Sequence, residues 1–135
     1  MALGLVATVT FSPGPVQAAT STPVDATTSI ATLISLAAKK YDIAPETLHD
    51  TLFCESSLDP LAEGDVSTST EIATTSWGIA QIHLPAHPEI SKAEALDPAF
   101  SIDYMAHQIS LGNGPKLWTC YRNLYGDNSM FASTY

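Results

Sequence analysis

Glu55 is the carboxylate best placed for proton chemistry. It follows Phe53 and Cys54 at the end of a stretch with helical spacing. A carboxylate there faces the negative pole of the helix, and partial burial disfavours its charge. Both effects favour the protonated form, which a general acid near neutral pH requires. Position alone does not separate it from a solvated glutamate at a helix end. The two cysteines are the second clue: Cys54 immediately precedes Glu55, and Cys120 immediately precedes Tyr121. In an oxidising compartment an even count permits one disulfide, whereas in reduced cytosol the pair reads as two buried thiols. Closing so long a loop stabilises a fold by about 4 kcal/mol in the chain-entropy model. Two cysteines are too few for a zinc site. His83 and His87 flank Pro85, so they cannot share a regular helical face and read as loop histidines. The residues therefore call for no metal and no cofactor.

The elements that must position these groups are mostly helical. Ser29 to Tyr41 carries Ile30, Leu33, Ile34, Ala37 and Ala38 at helical spacing, with Lys39 and Lys40 where they suit a helix C-terminus. Pro45 and Glu46 open a second helix, with Leu48, Leu52 and Phe53 on its apolar side; it runs to about Ser56, and Asp59-Pro60 ends it. Residues 61–76 lack periodicity, turn at Gly64-Asp65 and are rich in Ser and Thr, which predicts a long loop with a minor hairpin. A short helical segment is expected around Trp77–Ile82, before Pro85 and Pro88. Asp97-Pro98 opens a third substantial helix that ends at Gly112, and Pro115 opens a last one that stops at Gly126. No stretch shows sustained strand alternation. The fold class is mostly α. Trp118 reads as core, and Trp77 reads equally as core or as a surface for stacking.

Composition bounds the rest. The chain has 135 residues, one domain's worth, with 45% hydrophobic and 14% charged residues. Five basic and 14 acidic residues give a formal charge of −9, which leaves no cationic footprint for nucleic acid. No apolar run approaches the ~18 residues of a membrane-spanning helix. Residues 1–24 carry no charge; residues 2–11 are apolar, Pro13, Gly14 and Pro15 break them, and Val16-Gln17-Ala18 resembles a signal-peptidase site. The basic residue that usually precedes such a stretch is lacking. We read 1–18 as a secretory signal, 19–28 as a flexible linker, 29–126 as the folded domain and 127–135 as a tail. The expected location is periplasmic, wall-associated or extracellular.

Four short segments point further. Glu55-Ser56-Ser57-Leu58-Asp59-Pro60 resembles the Glu-Ser-x-Phe-Asp/Asn-Pro segment of lytic transglycosylases, with Leu58 at the aromatic position. Ser76-Trp77-Gly78-Ile79-Ala80-Gln81-Ile82-His83-Leu84-Pro85 resembles the family's Gly-Leu-Met-Gln-Ile-x-Pro, with Ala80 in place of Met. Leu96-Asp97-Pro98 with Ile102 is similar to Leu-x-Asp-Pro…Asn-Ile, and Cys120-Tyr121-Arg122-Asn123 to Ala-Tyr-Asn-x-Gly. In this order, over about residues 30–125, they resemble the catalytic domain of soluble lytic transglycosylases, within the goose-type-lysozyme-like superfamily.

That resemblance implies a lysozyme-like helical domain that acts on peptidoglycan glycan strands; a monomer is expected. It makes Glu55 the acid and base, with Tyr121 orienting it. Ser76, Trp77, Gly78 and Gln81 would contact the sugar. A Cys54–Cys120 bridge would draw Tyr121 toward Glu55. Arg122-Asn123-Leu124 departs from the family's Asn and Gly after the Tyr. Asp65 is a candidate second carboxylate: if it holds water, the chain is a hydrolytic lysozyme, and Glu71 in the same loop is a weaker candidate for that role. If neither chemistry occurs, the chain is a glycan-binding module of the same fold.

Overall fold

The computed structural model describes residues 28–64 and 75–126. The expected signal, the linker apart from Thr28, Asp65, Glu71 and the expected tail lie outside the described residues. Among the described residues the fold is mostly helical, with one small antiparallel sheet.

Helix α1 spans Ile30–Tyr41 and α2 spans Pro45–Ser56. Ser29 caps α1, its Oγ accepting from the Thr32 N–H at 3.2 Å. This satisfies one of the first-turn donors that have no partner within the helix. Lys39 and Lys40 occupy the last turn, and Asp42 ends the helix in the left-handed region at φ 53°. Pro45 starts α2 as its lost N–H would be unpaired there anyway.

The hairpin expected within residues 61–76 is present as β1 (Glu63–Gly64) and β2 (Ser76–Trp77). Glu63 pairs with Trp77 and Gly64 with Ser76. A third strand, β3 (Ile82–His83), extends it, with Ser76 opposite His83 and Trp77 opposite Ile82. The expected helical segment at 77–82 is instead the tight connection from β2 to β3. Gly78 at φ +75° and Gln81 at φ +47° lie in the left-handed region, which no right-handed helix admits.

A 3₁₀ turn at Leu84–Ala86 leads to α3 (Lys92–Leu96), an element not anticipated above. Its start is a reciprocal cap: the Ser91 hydroxyl accepts from the Glu94 N–H, and the Glu94 carboxylate accepts from the Ser91 N–H at 2.8 Å. Helix α4 (Pro98–Ser110) follows, capped by Asp97. The single last helix expected from Pro115 is two: α5 (Gly114–Leu117) and α6 (Thr119–Tyr125). Trp118 breaks them with an extended backbone. Its indole is buried, and Nε1–H donates to the Ala80 carbonyl at 2.7 Å. Trp118 is thus a core residue, as expected.

The core draws on every layer: Ile34 and Ala38 from α1, Leu48 and Leu52 from α2, Ile79 and Ile82 from the hairpin, Ile102 and Met105 from α4, and Tyr121 from α6. At the α1–α4 rim, Asp103 accepts from Lys40 at 2.7 Å and from the Tyr41 hydroxyl at 2.8 Å. Among the described residues no helix is long and apolar enough to cross a membrane.

Candidate active site

Glu55 lies on the last turn of α2 and is half-buried. The sequence places it at the negative pole of its own helix; the structure also places it at the start of another. The Cys120 N–H, in the first turn of α6, donates to Glu55 Oε1 at 3.1 Å. No side chain from its own N-cap closes α6. Glu55 therefore supplies, from a different helix, an acceptor for a donor that has no partner within α6.

The disulfide fixes this encounter. Cys54 and Cys120 are bonded, with Cα atoms 5.9 Å apart and a sequence separation of 66. One bonded cysteine is the neighbour of Glu55, and the other carries the N–H that meets it. Tyr121, next along α6, is buried, with its ring 5.2 Å from that of Tyr125. Gly114 makes room for it, since a Cβ there would stand 2.7 Å from the Tyr121 ring.

The segment after Glu55 is bound to the hairpin. The Ser56 hydroxyl contacts the Ile79 carbonyl at 2.7 Å and the Leu52 carbonyl at 3.1 Å. Ser57 and Leu58 are both left-handed, at φ 55° and 63°, and a non-glycine residue pays about 1–3 kcal/mol for such a conformation unless its surroundings impose it. Here they do: Asp59 N–H bonds the Ser56 carbonyl, Asp59 Oδ1 accepts from the Leu61 N–H, and the Gly78 N–H reaches the Ala62 carbonyl. Three of the four non-glycine residues with positive φ among the described residues, Ser57, Leu58 and Gln81, belong to this segment and the turn it meets.

The residues expected to line the sugar cleft have mixed placements. Gln81 donates its amide N–H groups to the Gly78 carbonyl at 3.0 Å and the Ala62 carbonyl at 3.3 Å. Its amide oxygen lies where a Cβ on Gly64 would be. Gln81 thus ties β1 to the hairpin turn with both amide hydrogens engaged. Gly78 is needed twice over, for its positive φ and because a Cβ would collide with the Ala95 carbonyl. Ser76 is buried and meets His83 Nδ1 at 3.3 Å. Trp77 is half-buried, with Lys92 Nζ 3.3 Å from its ring centroid, so one face of the indole is covered by a cation.

Sequence reasoning missed the Cys120 N–H, the Ser56 link and the Lys92 cover. Backbone donors leave no mark on residue type, so only the first helix turn after Trp118 could have signalled the Cys120 contact. A groove of about 260 Å³ between α1 and α2, lined by Ile34, Pro45, Glu46, His49 and Asp50 among others, lies toward the start of α2 and does not include Glu55. Among the described residues no cluster of His, Cys, Asp and Glu could hold a metal ion. No family model matches the chain, and neither a curated protein nor a solved structure matches it, so the reading of this site rests on its motifs and its own geometry.

Proposed function

We propose that the chain is an exported lytic transglycosylase of peptidoglycan, with Glu55 as its single acid and base. One observation carries the reading. Within a segment that resembles the family's catalytic motif, Glu55 is held half-exposed between α2 and α6 by a disulfide and a backbone N–H. A surface glutamate at a helix end has no need of such fixing; a proton donor that must meet a bound oxygen does.

In this mechanism Glu55 protonates the glycosidic oxygen between N-acetylmuramic acid and N-acetylglucosamine as the bond to C1 breaks. The N-acetyl group of the substrate stabilises the positive centre. Glu55, now a carboxylate, takes the proton of the muramyl 6-hydroxyl as that oxygen bonds to C1. The proton returns to Glu55, no water is consumed, and the product ends in a 1,6-anhydro sugar. Most glycosidases divide these tasks between two carboxyl groups; here the substrate replaces the second.

Mass spectrometry of a glycan digest tests the reading. The anhydro and hydrolysed ends differ by one water. Anhydro ends are expected; a majority of reducing ends assigns the chemistry to hydrolysis with a second carboxylate such as Asp65. Binding without cleavage assigns the chain to glycan recognition alone.

A further inference from the structure

The chain carries five basic residues against a formal charge of −9. Four of them belong to α1, α5 and α6: Lys39, Lys40, Lys116 and Arg122. The fifth, Lys92, opens α3 and sets its ammonium against the sheet, 3.3 Å from the centroid of the Trp77 ring. Local structure accounts for that placement. The reciprocal Ser91–Glu94 cap fixes where α3 begins, so Lys92 is its first residue. Ala95 follows three positions later, on the same face of the helix. It is buried, its carbonyl accepts from the Ser101 hydroxyl at 2.6 Å, and that carbonyl stands where a Cβ on Gly78 would be. The face of α3 that carries Lys92 is thus pressed on the hairpin beside Trp77. Ile79, whose carbonyl holds the Ser56 hydroxyl, is two residues beyond Trp77, so the indole belongs to the corner that carries Glu55.

A lysine side chain loses much rotamer freedom when it is fixed. An indole face under the ammonium offsets part of that loss and leaves the outward N–H groups for another acceptor. Lys92 and Glu63 are both exposed. Glu63 lies opposite Trp77 in the strand register, hence on the same face of the sheet. None of the ion pairs among the described residues joins it to Lys92.

We propose that Lys92, held over Trp77, is the seat for a carboxylate carried by a sugar of the glycan strand, and so distinguishes acidic from neutral strands. This rests on the reading of the chain as acting on peptidoglycan and names the part of the substrate that the corner recognises. Lys92 touches the ligand; Trp77 is a positioning residue that acts through it. The carboxylate belongs either to the lactyl group of muramic acid or to peptide attached there. The charge of the whole chain repels such a strand, and a fixed local cation lets one carboxylate approach. Glu63 limits that attraction from across the strand pair.

The test measures, by calorimetry on the full chain, the binding of three disaccharides. One is neutral di-N-acetylchitobiose, one is N-acetylglucosaminyl-N-acetylmuramic acid with its free carboxylate, and one is the latter with peptide amide-linked to the lactyl group. Wild type is expected to bind an acidic probe about 2–5-fold more tightly than the neutral one, the scale of an exposed ion pair. The ratio should shrink toward one in ~1 M salt. Preference for the free-acid probe assigns the seat to the lactyl carboxylate; preference for the peptide-bearing probe alone assigns it to the peptide. Lys92→Met keeps an apolar stem over the indole and should abolish the preference while neutral affinity stays unchanged. Lys92→Arg should retain it, Glu63→Gln should enlarge it, and Trp77→Leu should reduce it. Equal affinity of wild type for all three probes would overturn the seat, as would binding of none of them or a preference that survives Lys92→Met. A parallel digest of intact strands keeps this separate from the mechanism. Anhydro ends with equal affinities remove the seat alone; acidic preference without cleavage leaves the seat and removes the catalytic reading.

Discussion

The α1–α4 face and the corner where α2 meets α6 are held by different forces. Between α1 and α4 the contact is apolar, built on Ile34, Ala38, Ile102 and Met105, with an ion pair only at its rim. At the corner the chain is fixed by directed bonds: a disulfide, the Cys120 N–H on Glu55, the Ser56 hydroxyl on the Ile79 carbonyl and the Gln81 amide on two carbonyls. Apolar burial fixes how much surface meets and tolerates small shifts. Directed bonds fix where one atom stands, which is what proton transfer needs. The corner also carries the left-handed residues Ser57, Leu58 and Gln81, whereas α1 and α4 have none within their helices.

Substitutions can break this division of labour. The largest effect is expected at the corner. Glu55→Gln should lower glycan turnover by ~10²–10⁴-fold or more, since in the proposed mechanism one group serves both proton transfers. Its melting temperature should hardly move, because the amide oxygen of Gln still accepts from Cys120. Glu55→Ala removes that acceptor and should cost a further 0.5–2 kcal/mol, roughly the value of a lost helix cap. Equal melting of the two variants would show that the bond contributes nothing to α6.

The converse holds on the apolar face. Met105→Ala should destabilise the fold by about 2–5 kcal/mol, as deletion of a buried side chain does. Each folded molecule should keep its turnover. A drop in kcat measured well below the melting transition would mean that scaffold and corner are coupled.

The smallest effect concerns α3, which lies outside both regions but supports Gly78. Bonds from the Ser91 N–H and then its hydroxyl hold the Glu94 carboxyl below the usual glutamate range. A depressed folded value means that this contribution is complete above the ordinary glutamate pKa and is lost as pH falls through the lower one. Wild type should therefore melt slightly above Glu94→Gln at neutral pH, and the difference should close in acid. A constant gap across pH would show that charge plays no part in the cap.

Local rules were enough for the elements that obey them. Pro45 and Asp59-Pro60 bracket α2, and Ser29 and Lys39-Lys40 mark both ends of α1, so these helices were legible in advance. Ser91-x-x-Glu94 is a capping-box spacing that signals α3, but it sits among too few apolar residues to stand out by periodicity. Residues 77–82 misled because Trp77, Ile79, Ala80 and Ile82 are apolar enough for a buried helix. What decides against one is the left-handed backbone at Gly78 and Gln81, and only the first has a residue type that announces it. The split at Trp118 was illegible for a similar reason. It follows from an indole reaching the Ala80 carbonyl 38 positions away, a tertiary demand that overrides local preference. At the site, Glu55 and the cysteines stood out by type and neighbourhood, whereas the donor that meets Glu55 is backbone.

The bridge also gives the molecule a covalent topology. Cys54 and Cys120 close a ring of main chain that contains, among the described elements, β1, β2, β3, α3, α4 and α5. A peptide bond cut once anywhere inside that ring opens it without dividing the molecule. The two pieces stay tied through sulfur, with the core residues of both still opposite one another. Nicked protein would thus travel as a single species until its thiols are freed, and only then part into two.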